Sequence, residues 1–242
     1  MTGDVVRLLS RCAEDLQLAL RGEQLSSFLV LMAELKKWNN KFNLTSIKED
    51  ADIALKHFVD SLLLLSVVRP EGKLLDIGSG GGFPSLPLKI MLPDLEMVSV
   101  DAVEKKILFQ RHIARLLNFQ AFSALHSRVE RLPGKYLGEF DWIVTRAFSD
   151  LPTFATLGLP YLKENGSLIA MKGKRGAEEA RDAEHELGRN GIKVRSCIHE
   201  KLPVSGDERY LIVMQRIADQ PPQAGKDDTG CQRQRTTRLR PV

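Results

Sequence analysis

Cysteine is scarce: the 242 residues hold three, Cys12, Cys197 and Cys231. They are too scattered for a disulfide framework or a metal knuckle, so they read as structural or incidental thiols and no metal site is expected. Long apolar runs are missing as well. The leucine run Leu62–Leu65 has four residues, against the ~18 that would suggest a membrane span, and no spanning helix is predicted. The first residues include Asp4 and early arginines without the apolar stretch of a secretory leader, which makes a cytoplasmic protein the expectation. Neither sign of charge dominates. A total of 35 Lys and Arg against 31 Asp and Glu leaves +4, with a pI near 9.0; that balance permits a polyanionic partner without requiring one. What is present is material for a core, 43% hydrophobic residues, enough for one α/β domain with a small appendage.

Helical spacing comes first along the chain. Val5, Leu8, Leu9, Cys12, Leu16 and Leu20 form one stripe, and Leu25, Phe28, Leu29, Met32, Leu35 and Trp38 another, with Gly22 between them. A third helix is predicted from about Asp50 to Val68, closed by Pro70. From residue 73 short apolar runs alternate with helical patterns: strands at 73–77, 96–101, 121–126, 141–146, 167–172, 193–202 and 209–217, and helices near 84–91, 103–117, 151–161 and 176–189. Such alternation predicts a parallel, doubly wound sheet. The last two strands are too close for a helical crossover and must pair as an antiparallel hairpin. The organisation is therefore a helical lobe over 1–70, a core over 71–217, and a polar tail, 218–242, expected to be disordered. Arg233, Arg235, Arg238 and Arg240 make that tail basic, which suits either a solvated segment or contact with RNA.

The stretch Leu74-Leu75-Asp76-Ile77-Gly78-Ser79-Gly80-Gly81-Gly82 joins an apolar strand to spaced glycines behind an acidic residue. Glycine accepts φ > 0 and has no Cβ, so such a loop lets the backbone turn sharply and approach a ligand. The dinucleotide pattern G-x-G-x-x-G fails at Phe83, and the phosphate loop fails because Phe83-Pro84-Ser85 stands where Gly-Lys-Ser/Thr is needed. What remains, Asp-Ile-Gly-x-Gly-x-Gly, resembles the first motif of class I S-adenosylmethionine-dependent methyltransferases. That resemblance makes Asp76, Gly78 and Gly80 candidate cofactor residues. A seven-stranded, mostly parallel sheet ending in an antiparallel hairpin resembles the same fold.

Ligands of open α/β sheets sit at the carboxyl ends of the strands. The second strand ends at Asp101, 23 residues beyond Gly78, where a carboxylate can accept from ribose hydroxyls or cap the following helix. The third ends at His126-Ser127-Arg128-Val129-Glu130, whose backbone can read an adenine edge; His126 itself reads as a satisfied core or surface histidine and not as a catalytic base. The fourth ends at Thr145-Arg146-Ala147-Phe148. The Asn/Asp-Pro-Pro-Tyr/Phe tetrapeptide of amino-group methyltransferases is absent there, and so is the cysteine of cytosine-C5 enzymes. Arg146 beside Phe148 suits an acceptor atom with an available lone pair, such as guanine N7; in the structural alternative, Arg146 caps the sheet against Asp76 or Asp101. Lys172, Lys174 and Arg175, at the fifth strand's exit, read either as phosphate contacts or as a solvated loop.

Several islands together resemble the bacterial 16S rRNA (guanine(527)-N7)-methyltransferase family, also called glucose-inhibited division protein B. They are Lys37-Trp38-Asn39 with Phe42-Asn43-Leu44-Thr45-Ser46, His57-Phe58-Val59-Asp60-Ser61, Asp76 to Pro84, Ser127-Arg128-Val129-Glu130, Arg146-Ala147-Phe148, Lys172-Gly173 and Asp207-Glu208-Arg209-Tyr210. The resemblance runs in order over residues 4 to 217, departing mildly at Gly81 and Phe83. It implies contact of Gly78, Phe83, Val129, Glu130 and Arg146 with S-adenosylmethionine. The implied substrate is guanine(527) of 16S rRNA, in naked RNA or a small-subunit particle, and a monomer is expected. His57 and Asp60, three apart on one helix face, either order the cleft or meet RNA, or serve the lobe's structure. Competing readings are an S-adenosylmethionine-binding, RNA-associated protein without turnover, a methyltransferase for another RNA position, and a nicotinamide-dependent oxidoreductase. The failed dinucleotide pattern and the terminal hairpin count against the last.

Overall fold

The structure, a computed structural model, describes residues 2–146, 148 and 150–217. The tail 218–242, expected to be disordered, lies outside the described residues, and with it Cys231. Helices α1 (Thr2–Asp15) and α2 (Gly22–Phe42) open the chain. A composite helix follows: α3 (Asp50–Ile53), a π-helical turn (Ala54–Val59) and α4 (Asp60–Val67). Asn43 ends α2 in the left-handed region at φ 47, its N–H donating to Asn39 O at 3.1 Å, a conformation asparagine tolerates. Ile53, Phe58 and all of Leu62–Leu65 are buried, so the leucine run belongs to a helix enclosed on every side. Each such leucine contributes about 2 kcal/mol of burial.

Seven strands form one sheet: β1 (Lys73–Ile77), β2 (Glu96–Asp101), β3 (Phe122–His126), β4 (Phe140–Thr145), β5 (Leu162–Lys172), β6 (Ile192–Lys201) and β7 (Glu208–Arg216). Their order is β3-β2-β1-β4-β5-β7-β6. Pairings from β3 to β5 are parallel, and β7 runs antiparallel to both β5 and β6, the hairpin that the short connection required. Strand order reverses beside β1, which places a ligand crevice at the carboxyl end of β1.

Helices α5 (Ser85–Met91) and α6 (Glu104–Leu116) cover one face and α7 (Leu151–Gly158) and α8 (Gly176–Arg189) the other. The N-terminal helices join the first face: Leu35, Leu64, Leu86, Phe109, Ile169 and Val213 belong to one continuous apolar cluster. Leu75, Ile143, Phe154, Leu187 and Ile212 belong to the cluster on the opposite face.

Three elements differ from the sequence expectation. The helix expected over 50–68 contains the π turn. The strand expected at 167 begins at Leu162, paired with Phe140; its exposed Lys163, Glu164 and Asn165 hide that half from a hydropathy reading. The helix expected to reach 161 stops at Gly158 and tightens to a 3₁₀ turn, Leu159–Tyr161, where Pro160 supplies no i→i−4 donor. On the outer strand β6, Val194 pairs with Met214 and Ser196 with Val213. Arg195 is thus an extra, charged residue that blunts the sheet edge.

Candidate active site

Immediately after β1 the backbone turns through Gly78 (φ +70), Gly80 (φ +58) and Gly82 (φ +91). A Cβ on Gly82 would lie 2.5 Å from Leu86 Cδ1, so neither the conformation nor the space admits another residue there. Polar groups fix the loop from below. Gly78 N and Ser79 N donate to Val100 O at 2.9 and 3.2 Å, and Gly80 N donates to Asp101 Oδ2 at 2.8 Å. The buried Gln110 donates to Ser79 Oγ and Gly80 O and accepts from Ser99 Oγ. Sequence reasoning missed Gln110, although its signal was there: one amide in the buried stripe Ile107, Gln110, Ile113 of α6.

Asp76 lies under this loop, fully buried. Its Oδ2 accepts from the amide and hydroxyl of Ser85, tying β1 to the start of α5, and its Oδ1 has no partner. Burial raises its pKa to about 7, against the opposing pull of the Ser85 hydrogen bonds and the Arg146 charge. The expectation of direct cofactor contact by Asp76 is corrected accordingly: the carboxyl is sealed beneath the loop and supports it.

A cleft of about 250 Å³ opens beyond the loop, lined among others by Gly78, Asp101, Ser127, Val129, Glu130 and Phe148. Four candidates from three separate stretches of the sequence, Gly78, Asp101 and the adjacent Val129 and Glu130, thus meet in one cavity. Asp101 lines the cleft, and its Oδ1 accepts from Val103 N at 2.8 Å; Val103 is itself the N-cap of α6 and that end has no side-chain cap, so this carboxylate orders the turn before the helix and does not cap it. The Tyr161 hydroxyl donates to Val129 O at 2.7 Å and holds the far wall. His126 donates to Ala102 O at 3.1 Å and is exposed, so of the core and surface readings it takes the surface one.

Beside the cleft stands Arg146, at the end of β4. Its Nη1 donates to Lys56 O (2.9 Å) and Asp60 Oδ2 (3.3 Å), and its Nη2 to His57 Nδ1 (3.2 Å). Its guanidinium carbon sits 5.4 Å from the centre of the Phe83 ring. The same Phe83 ring stacks on His57, centroids 4.4 Å apart and 6° from parallel. Asp60 Oδ1 accepts from Arg209 Nε at 2.7 Å, so one carboxylate bridges two guanidiniums. Burial lowers the Arg146 pKa while Asp60 and Asp76 oppose the shift. Burial first, and then the Arg146 charge, bring His57 down to about 3. The partner of Arg146 is therefore Asp60, and not the Asp76 or Asp101 of the capping alternative. His57, in the π turn, and Asp60, at the start of α4, share the task; a wide turn of this kind recurs at functional sites.

The cations after β5 divide. Lys172 is 8% exposed; its ammonium donates to Phe148 O at 3.0 Å and pairs with Glu179 at 2.8 Å. Its expected phosphate contact is corrected: the side chain pins the backbone that lines the cleft. Lys174 and Arg175 are exposed, Arg175 Nε meeting Glu178 at 3.0 Å. The described cysteines, Cys12 in α1 and Cys197 on β6, lie on elements outside this corner.

A family model described as rRNA small subunit methyltransferase G matches residues 24–208. The chain belongs to that family. It is 56% identical over 213 residues to the ribosomal RNA small subunit methyltransferase G of Geotalea uraniireducens (strain Rf4), covering 88% of this chain and 97% of that protein. To the protein of the same name from Desulfitobacterium hafniense (strain Y51) it is 35% identical over 209 residues, 86% of this chain and 87% of the other. Among solved structures, a SAM dependent methyltransferase from Aquifex aeolicus superimposes with a TM-score of 0.55 at 18% identity, over 71% of this chain and 96% of that one. Pyrococcus horikoshii TYW2 in complex with MeSAdo gives 0.51 at 14% identity, over 64% and 60%. At such identities these structures speak for the fold, which is the class I S-adenosylmethionine-dependent methyltransferase fold.

The residues present suit that cofactor. The glycine loop admits close backbone approach, Asp101 faces the cleft as an acceptor, and no phosphate-binding lysine stands in the loop, in keeping with a ligand whose reactive end carries a sulfonium.

Proposed function

We propose that this member of the small-subunit rRNA methyltransferase family transfers the methyl group of S-adenosylmethionine to N7 of guanine(527) in 16S ribosomal RNA. The observation that supports a ring nitrogen such as N7 as the acceptor is the make-up of the β4 corner, while the nucleotide, guanine(527), follows the family resemblance. Its imidazole, His57, is engaged on both nitrogens, by Arg146 and by Thr45 Oγ1 at 2.8 Å, and with a pKa near 3 it is a poor base. Neither an amino-group tetrapeptide nor a cysteine nucleophile stands there. Purine N7 carries its lone pair in the plane of the ring and needs neither deprotonation nor covalent activation.

When bound, S-adenosylmethionine supplies a methyl group on a positively charged sulfur. The chain's part is to hold. Asp101 and the backbone at Val129 and Glu130 would take the nucleoside end, Gly78 and Gly80 would let the main chain close on it, and Phe83 with Arg146 would border the methionine end and the incoming base. Arg146, fixed by three groups of the helical lobe, keeps one plane, so orientation supplies the rate. Lys174 and Arg175 are proposed to meet RNA phosphates, which makes binding steeply salt-dependent.

The test is incubation of the protein with radiolabelled cofactor and either 16S rRNA or 30S particles, followed by mapping of the modified base. Label on N7 of a single guanine is expected. Label on an exocyclic amine or a ribose hydroxyl would overturn the position, and cofactor binding without transfer would overturn the activity.

A further inference from the structure

We propose that a groove on the β3 edge of the sheet is a second RNA-docking surface, taking a single-stranded segment that flanks the methylated loop; the inference rests on the RNA-substrate reading above. The groove, about 590 Å³, lies between α6 and β3 and is lined by Leu108, Arg111, Arg115, Asn118, Phe119 and Phe122 together with two alanines. Its lining thus contains two guanidiniums, two phenyl rings and no carboxylate. Arg111 Nε donates to Ala124 O at 2.8 Å, which steadies that guanidinium while the side chain stays exposed. The rings of Phe119 and Phe122 meet edge to face, 5.8 Å between centroids and 63° apart, both half-buried. Leu108 at 45% and Leu116 at 50% exposure give the outer face of α6 apolar surface.

Apolar surface alone would suit a protein partner. The charge decides for a polyanion: two arginines line the groove, one of them held by Ala124 O, with no carboxylate in the lining, and bases that stack on aromatic rings while phosphates meet arginines are the pattern of single-strand recognition. Paired bases are stacked within their own helix and cannot use the phenyl rings, so the segment must be unpaired. Position agrees. Asp101 and Ala102 border the cofactor cleft, and α6 begins at Glu104. At 1.5 Å per residue, Arg111 and Arg115 stand about 10 and 16 Å down the helix from that rim. One RNA strand can reach both.

The experiment compares the full chain with Arg115→Glu and Leu108→Asp, both at exposed positions, binding either complete 16S rRNA or the isolated target stem-loop. Arg115→Glu should weaken binding to complete rRNA at least fivefold and flatten the slope of log K against log salt by about 0.7. Affinity for the stem-loop and for the cofactor should stay within twofold. Ultraviolet cross-linking of wild type to 16S rRNA should map to Phe119 or Phe122. Unchanged binding and slope with complete rRNA, equal loss on the stem-loop, or cross-linking of this edge to a ribosomal protein in 30S particles would each overturn the proposal. Wild-type protein that binds neither RNA would instead sink the RNA-substrate reading itself.

Discussion

Arg146 donates to Nδ1 of His57 across 3.2 Å, and because a guanidinium can only donate, the imidazole must accept there and carry its proton on Nε2. That proton points to Thr45 Oγ1 at 2.8 Å, and Thr45 N in turn donates to Asn39 Oδ1 at 2.9 Å. Continued through Asp60 to Arg209, one chain of polar contacts runs from α2 through the π turn to the ends of β4 and β7. The helical lobe therefore supplies the support for the arginine at the centre of the proposed chemistry.

Arg146→Ala should abolish most methyl transfer, and Arg146→Lys should restore little of it. A single ammonium cannot reproduce two nitrogens that serve Lys56 O, Asp60 and His57 at once. Single-turnover rates measured with saturating RNA check this. A lysine variant within twofold of wild type would mean that only the charge matters.

Asp60→Asn leaves two guanidiniums without their shared carboxylate. The expected cost in stability is about 2 kcal/mol, below the 3–5 typical of a fully enclosed pair, because Arg146 and Arg209 keep 20% and 23% of their side-chain surface exposed. Arg209→Gln should slow transfer with cofactor affinity unchanged, since Arg209 holds Asp60 and lies outside the cleft lining. Urea titration and calorimetric cofactor binding separate the two effects.

Two buried groups make opposite contributions to the pH dependence of stability. His57 falls from 6.5 to about 3 on folding, so its contribution is complete above about pH 6.5 and is lost as pH drops toward 3. Asp76 rises from 3.8 to about 7, so its contribution is complete below about pH 4 and is lost as pH climbs through 7. Between about 4 and 6.5 they oppose each other, each with a slope of up to ~1.4 kcal/mol per pH unit. Relative to wild type, His57→Gln should lose stability with rising pH in that window, and Asp76→Asn should gain it. Denaturation midpoints at pH 4.5, 5.5 and 6.5, values chosen within that window, provide the check; parallel curves for both variants would refute it.

Gly80→Val should weaken S-adenosylmethionine binding at least tenfold, about 1.4 kcal/mol. The nearest atom to a Cβ there is Lys106 Nζ at 3.9 Å, so the harm comes from forcing a β-branched residue to φ +58 and not from a clash within the protein. Gly80→Asn, which tolerates that φ, should lose less. Equal affinities in the two variants, by calorimetry, would place the binding determinant elsewhere.

What the sequence displayed well was local. The Asp76 to Gly82 loop shows its conformation in its composition, and the closeness of the last two strands forced a hairpin. What it concealed joins distant residues: Asp60 to Arg209, Lys56 to Arg146 and Gln110 to Ser79 are contacts across the fold that leave no periodic trace. Lys172 illustrates the same limit, since a lysine at a strand exit reads as exposed until Glu179 and the Phe148 carbonyl are seen to enclose it. The π turn escaped because nearly every residue around it is buried, and a hydropathy pattern without a polar face cannot report one residue too many.

That surplus residue has a consequence for how the protein can change. Deleting Phe58 or Val59, the two positions of the wide turn that lie between His57 and Asp60, would relax it into ordinary α-helix with its backbone bonds renewed. Yet it would rotate everything before it by about 100° relative to everything after. Lys56 and His57 would then lose their bearing on Asp60 and Arg146 although no side chain in the network had been replaced. In this segment the spacing of the chain is as much an inherited instruction as the identity of its residues, and a deletion there could leave a well-folded protein with nothing to hold its arginine.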